Sequence, residues 1–175
     1  MIDVGLLFQK AQLQAGMHMG HLGCGKTGHI VLPASKIIGE SGVVYAVDIL
    51  KDKLHDLEKR AHDMGISNIH GVWSNIEKIG STAIPSASLD VIFLVNVLVK
   101  VEDQIAVLEE ANRLLKEKCR LIVVDWWKKG ASFGPPESQY INFDSIEDWA
   151  RQRGFTIQEE FTCGPYHAGM VLYRA

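Results

Sequence analysis

The chain has 175 residues, 47% of them hydrophobic and 22% charged, with a formal net charge of −3. That is enough chain for one domain with a core, residues 1–175, and too little for a separate substrate domain. The composition is that of a soluble globule, and its basic residues are scattered apart from short clusters at Lys116–Arg120 and Lys128–Lys129, so a nucleic-acid partner, which leaves a basic footprint, is not expected.

The first residues, MIDVGLLFQK, carry an early acid and no basic region ahead of their apolar residues, so they do not read as a signal peptide and a cytoplasmic location is expected. An amphipathic segment, Val4–Leu13, is followed by a strand at Met17–Leu22, a glycine-rich turn and a helix at His29–Ile38. Pro33 is tolerable in that helix only if the helix begins near Gly28 or later. VVYAVDI (Val43–Ile49) has the β-branched character of a buried parallel strand and ends at Asp48. This strand–turn–helix–strand–acid layout builds a nucleoside-cofactor site. Gly23, Gly25 and Gly28 let the backbone turn and approach a ligand, the helix N-terminus offers unpaired N–H groups, and Asp48 is placed to accept from ribose hydroxyls.

Further along come a helix at Lys51–Met64, strands at Ile69–Trp73 and Leu89–Asn96, a helix at Asp103–Leu115 and a strand at Arg120–Trp126. Ile105, Leu108, Ala111, Leu114 and Leu115 supply the apolar spacing of the helix at Asp103–Leu115. The alternation predicts an α/β fold with a parallel sheet. Its longest apolar runs, VIFLVNVLV and LIVVDWW, fall far short of the roughly 18 residues of a membrane span. The tail differs: a helix at Ser145–Arg153 stops at Gly154, and TIQEEFT and HAGMVLYRA are separated only by CGPY. A link that short cannot make a parallel crossover, so the last two strands should pair as an antiparallel hairpin. Cys24, Cys119 and Cys163 are far apart and suggest free thiols, without a disulfide framework or a zinc site. His18, His21 and His29 are not expected to hold a metal, since side chains three apart on a strand point to opposite faces.

A seven-strand sheet with a glycine turn after strand one, an acid after strand two and a terminal hairpin resembles the class I S-adenosylmethionine-dependent methyltransferases. The likeness runs over essentially the whole chain. HLGCG (21–25), VVYAVDI and LDVIFLVNVL match three motifs of their small stand-alone domain proteins in bacteria and archaea, and GPP (134–136) and GPYHAG (164–169) continue the pattern. The resemblance implies a Rossmann-like three-layer sandwich whose seven-stranded sheet is mostly parallel, with a C-terminal antiparallel β-hairpin. It also implies S-adenosylmethionine as cofactor, with Gly23, Gly25 and Gly28 against its methionine moiety and Asp48 on its ribose. His21, Cys24, Ile49, Asn75 and Asn96 complete the expected cofactor set. Three positions depart from the family: His21 stands for an acid that compensates the cofactor's ammonium, Asn75 for an acid at the adenine, and Glu117–Cys119 for a Pro-Gly-Gly turn. The side-chain carbonyl of Asn75 is expected to accept from the adenine amino group.

The activity implied is methyl transfer to an unidentified, small-molecule acceptor held in line with the methyl, by a monomer or homodimer without a membrane or nucleic-acid partner. Such chemistry needs positioning more than a base. Asn96, Asp125 and His167, at strand ends and in the hairpin loop, are the candidate catalytic groups, each with a structural alternative: Asn96 bonding a loop backbone, Asp125 capping a strand or meeting Lys128, His167 packing at the sheet. Trp126, Trp127, Phe133, Tyr140 and Phe143 either floor an acceptor pocket or cover the core. Two competing readings are an NAD-dependent oxidoreductase, whose fingerprint the glycine turn and Asp48 also satisfy, and a binding protein that keeps the fold without turnover.

Overall fold

Strand runs rich in Val, Ile and Leu form one seven-stranded sheet in the order β3-β2-β1-β4-β5-β7-β6 in a computed structural model that describes residues 2–127 and 133–175. The Lys128–Lys129 cluster lies outside the described residues. The strands are β1 (His18–Leu22), β2 (Val43–Asp48), β3 (Ile69–Trp73), β4 (Leu89–Val95), β5 (Leu115–Trp126), β6 (Phe155–Thr162) and β7 (His167–Arg174). The first five pair in parallel, while β7 runs antiparallel to both β5 and β6. A dinucleotide-binding sheet has the order 3-2-1-4-5-6; here the last strand is inserted between β5 and β6, which separates this fold from the oxidoreductase alternative.

Alternation along the central strands fills two cores. Ile92 and Leu94 of β4 with Leu121 and Val123 of β5 face one layer, and Val91, Phe93, Val95, Ile122 and Val124 face the other. The first layer holds α4 (Gln104–Leu114) and α5 (Phe143–Gln152), and the second holds α1 (Val4–Ala11), α2 (Val31–Ile38) and α3 (Lys51–Asp63), giving the expected three layers. Local chemistry sets the helix ends. Asp3, Asp103 and Asn142 accept from the backbone N–H of Leu6, Ala106 and Asp144, which makes them N-caps. Helix α2 starts two residues later than the sequence reading, so Pro33 falls in its first turn, where no intrahelical partner is lost.

Two expectations are corrected here. Ile105 is exposed, because the buried face of α4 is set by Val107, Leu108, Ala111 and Leu114 and turns Ile105 to its flank. Strand β5 starts at Leu115, five residues earlier than expected, through an irregularity: Leu89 pairs Leu115 but Val91 pairs Arg120. Lys118 sits in that irregularity at φ 58, a left-handed conformation that a glycine would adopt without strain.

Candidate cofactor and acceptor site

A cleft of about 340 Å³ opens beyond the carboxyl ends of β1, β2 and β4, where the strand order runs in opposite directions from β1. Open parallel sheets bind ligands at such a switch point, and the volume is that of a small-molecule pocket. The turn after β1 is tied to the neighbouring strand, since the N–H groups of Gly23 and Cys24 both donate to the Val47 carbonyl, at 2.8 and 3.0 Å. Gly23 has φ +75, and a Cβ there would lie 2.3 Å from Cγ2 of Val97, so this position admits no side chain while the wall after β4 stays in place.

Asp48 joins the turn to β2. Its Oδ2 accepts from the Gly25 N–H at 2.8 Å and its Oδ1 from the Leu50 N–H at 3.0 Å, with the side chain largely buried. An ionised carboxylate has about four acceptor sites, so about two remain for hydroxyls in the cleft. A Cβ on Gly25 would meet nothing within 4 Å, which leaves open space beside that carboxylate. Ile49, 54% exposed, supplies an apolar wall next to Asp48, and its carbonyl accepts from Trp73 Nε1 at 2.9 Å. Asn75 also lines the cleft, but its Oδ1 accepts from the Glu77 N–H at 3.0 Å. The oxygen expected to serve an adenine is therefore engaged in its own loop, which leaves its second lone pair and the amide NH₂ for a ligand.

Asn96 stands at the end of β4 with φ 55, a strained conformation for a residue with a side chain. It lines the cleft, and its Oδ1 is buried without a hydrogen-bond partner among the described residues. The following segment carries Val97, Lys100 and Val101 into the cleft, and Val99, Lys100 and Val101 also wall a second cavity of about 560 Å³ that reaches Ser138 and Tyr140. The two spaces thus share a wall. Asp125 lies behind it, fully buried, with Oδ2 accepting from the Val99 N–H at 3.3 Å and Oδ1 from the Trp126 N–H at 2.9 Å. Burial pushes its carboxyl up to about 6, against the opposing pull of the backbone N–H groups and of Lys100.

His167 does not reach either cavity. It is buried with its ring 4.5 Å from that of Trp126, and burial lowers its pKa. Trp126 is itself covered by Phe133, Tyr140 and Tyr166, and a Cβ on Gly134 would come within 2.5 Å of its ring. Trp126, Phe133 and Tyr166 are core cover, Tyr140 also lines the second cavity, and Trp127 and Phe143 face a separate surface groove with Phe161.

Three residues of the expected cofactor set lie outside the cleft lining. Gly28 packs on α3, where a Cβ would sit 2.5 Å from Leu57 Cδ1, so it serves helix packing. Cys24 points into the core shared with α2 and α3, and its thiol is pushed up to about 12 by burial and then by Asp48, which makes it inert. His21 is buried with neither ring nitrogen hydrogen-bonded, and burial, with His29, lowers its pKa to about 3. It is therefore a neutral imidazole at ordinary pH and replaces the charge of the family's acid with none. The residues missed by sequence reading, among them Lys53, Ser74, Glu77, Val97 and Lys100, follow the ends of β2, β3 and β4. That position was the available signal, since ligands gather beyond strand ends in such sheets.

A sequence profile described as a methyltransferase domain matches residues 13–161. The structure is similar to that of a SAM-dependent methyltransferase from Aquifex aeolicus, at TM-score 0.86 and 24% identity over 98% of this chain and 89% of the other. It is also similar to a type 11 methyltransferase assigned as putative in Sulfolobus solfataricus, at TM-score 0.76 and 24% identity, covering 97% and 90% of the two chains. Among curated proteins it resembles the ubiquinone/menaquinone biosynthesis C-methyltransferase UbiE of Vibrio vulnificus, 32% identical over 105 residues, which are 59% of this chain and 39% of the relative. The matched part thus spans about two fifths of that relative's length.

Proposed function

The chain belongs to the methyltransferase-domain family, whose cofactor is S-adenosylmethionine, and on that premise we propose that residues 1–175 act as one unit that binds this cofactor in the cleft and transfers its methyl to a small-molecule acceptor. The observation that carries the reading is the Asp48 carboxylate, held between the N–H groups of Gly25 and Leu50 with acceptor capacity left toward the cleft. Asp48 holds the ribose, Ile49 lies against the adenine, and Asn75 donates to or accepts from the base edge. Gly23 and Gly25 let the backbone close on the methionine part. Asn96 lines the cleft with its Oδ1 buried, and His21, being neutral and outside the cleft, does not compensate the cofactor's ammonium.

The cofactor brings a methyl already activated by a sulfonium, so the protein's task is to hold a nucleophile in line with it and keep water out. The second cavity, which shares Lys100 and Val101 with the cleft, is the entry for the acceptor. Asp125 and His167 are buried and offer this junction no base, while the exposed Glu102 lines the acceptor cavity. An acceptor that arrives already nucleophilic needs neither of the buried groups. The part of UbiE that this chain resembles belongs to a protein named for C-methylation, and C-methylation of an activated carbon is the reaction type we favour. A cytoplasmic location accords with this reading; no helix among the described residues is long and apolar enough to cross a membrane.

The test is a calorimetric titration with S-adenosylmethionine, S-adenosylhomocysteine and NADH, with Asp48→Ala beside the native protein. Micromolar affinity for the sulfur nucleosides, weakened roughly 10- to 100-fold by the substitution, is expected from the loss of charge-assisted bonds of about 1.5–3 kcal/mol. Absence of binding would move the protein to the non-catalytic reading, for which the uncharged His21 is the specific observation.

A further inference from the structure

We infer that Asp125 is a positioning residue, whose buried carboxylate fixes the wall between the cofactor cleft and the acceptor cavity and so makes ligand binding depend on its ionisation. The inference rests on the function proposed above. Its groundwork is geometric. Asn96 ends β4 with its N–H donated to Val124 O at 2.9 Å, and the chain then leaves the sheet in a left-handed turn. The next segment, Val97–Val101, has few bonds of its own: a 3₁₀ turn at Leu98–Lys100 closed by Lys100 N–H to Val97 O at 3.0 Å, and Gln104 Nε2 donating to Leu98 O at 3.2 Å. Its side chains Val97, Leu98 and Val99 are buried in the first core, and its backbone is anchored from behind by the Asp125 carboxylate, which receives the Val99 N–H and is also engaged by that of Leu98.

Every side chain that this segment offers to a ligand is thereby set from behind. Val97 closes on Gly23, and Lys100 and Val101 face both spaces. Asp125 itself has no exposed surface, so it neither touches a ligand nor removes a proton from one. Its role in the reaction is confined to the wall. Ionised, it accepts from the 3₁₀ turn with full charge; protonated, it is a poorer acceptor and carries a donor with no obvious partner, which loosens the turn.

Burial places that ionisation at about 6, inside an accessible range. The charged or titratable groups around it are Lys100 on the turn and His167 on β7, whose strand partner is Trp126. Burial lowers the pKa of His167, which disfavours its charged form. Tyr140 reaches the neighbouring Trp126 from the segment after residue 133, and Lys128 lies outside the described residues.

The experiment is the pH dependence of S-adenosylhomocysteine affinity between pH 7.5 and 5 for the native protein, Asp125→Asn and Asp125→Ala, with amide hydrogen exchange at Leu98 and Val99 in the free proteins. The native protein is expected to lose roughly tenfold in affinity toward pH 5, one pKa unit of differential interaction. Asp125→Asn, isosteric and unable to ionise, should bind with an intermediate affinity that is flat over that range. Exchange at Leu98 and Val99 should accelerate roughly tenfold in Asp125→Ala and, in the native protein, as the pH falls, once intrinsic exchange is divided out. A native affinity that falls identically in Asp125→Asn overturns the inference, as does protection at Leu98 and Val99 that ignores both residue 125 and pH. If the native protein binds no nucleoside at any pH, the proposed function fails, and the exchange measurement alone decides the role of Asp125. Should either variant fail to fold, the native pH series on the two amides still decides between these outcomes.

Discussion

Glu110 and Asp125 are both carboxylates with no exposed surface, both accept backbone N–H groups from a loop, and they titrate in opposite directions. Burial pushes Glu110 up, but Arg113 donates Nε and Nη2 to it at 2.9 and 2.8 Å, and the N–H groups of Gly80 and Thr82 add bonds at 2.7 and 3.1 Å. The outcome is a carboxyl lowered to about 2. Asp125 is held by backbone N–H groups alone, with no cation at bonding distance among the described residues, so desolvation prevails and it is raised to about 6. A buried acid with a hydrogen-bonded cation secures the fold, whereas one left to backbone amides sits close to a change of charge, and only the second stands behind the cleft.

The largest expected effect is on Glu110. Glu110→Ala leaves Arg113 and two backbone N–H groups without their acceptor, and breaking a buried pair costs about 3–5 kcal/mol. Denaturant unfolding at pH 7 should show that loss; a cost under about 1 kcal/mol would dissolve the contrast. Next comes the pH profile of stability. Asp125, raised from 3.8 to about 6, contributes stability that is fully present below pH 3.8 and lost as the pH rises through about 6. Glu110, lowered from 4.5 to about 2, contributes stability present above pH 4.5 and lost as the pH falls through about 2. Asp125→Asn should therefore flatten the profile between pH 4 and 6 by on the order of 1–3 kcal/mol, read by thermal or urea melts across that window. An unchanged slope would mean that Asp125 is solvated in solution.

The smallest effect lies outside both carboxylates. Lys118, at φ 58 in the irregular start of β5, holds a left-handed conformation with a side chain. Lys118→Gly should stabilise the protein by about 0.5–1 kcal/mol, with no change in nucleoside affinity. A destabilised variant would show that the lysine side chain makes a contact worth more than the strain.

These residues also mark how far sequence reading reaches. The sheet, its terminal hairpin, the glycine turn and Asp48 are legible because each rests on a local signal: β-branched runs, a four-residue link, and turn chemistry at fixed spacing. Spacing assigns Gly28 to the glycine turn, but its packing on Leu57 comes from where α3 crosses, which no local pattern encodes. Glu110 reads as an ordinary polar residue of a helix until Gly80 and Thr82, 30 and 28 positions earlier, are folded against it. Asn75 and Asp125 do fall at strand ends, but the atoms they bond depend on the path of the loops, and loop paths are set by tertiary contacts. Asp125 in particular is buried behind the cleft wall, a placement that its position at a strand end does not encode.

The insertion of β7 between β5 and β6 has a consequence for solubility. Until β7 pairs along it, one edge of β5 presents unpaired backbone groups beside Leu121, Ile122, Val123 and Val124, a β-branched apolar run without a charge. The final outer edge is different in kind: β6 carries Gln158, Glu159 and Glu160, is broken in register between Ile157 and Glu159, and is pinned to α1 by the Lys10–Glu159 ion pair. The hairpin thus exchanges a sticky edge for a guarded one. Substitutions that loosen it should first be seen as aggregation, before any loss at the cleft is measurable.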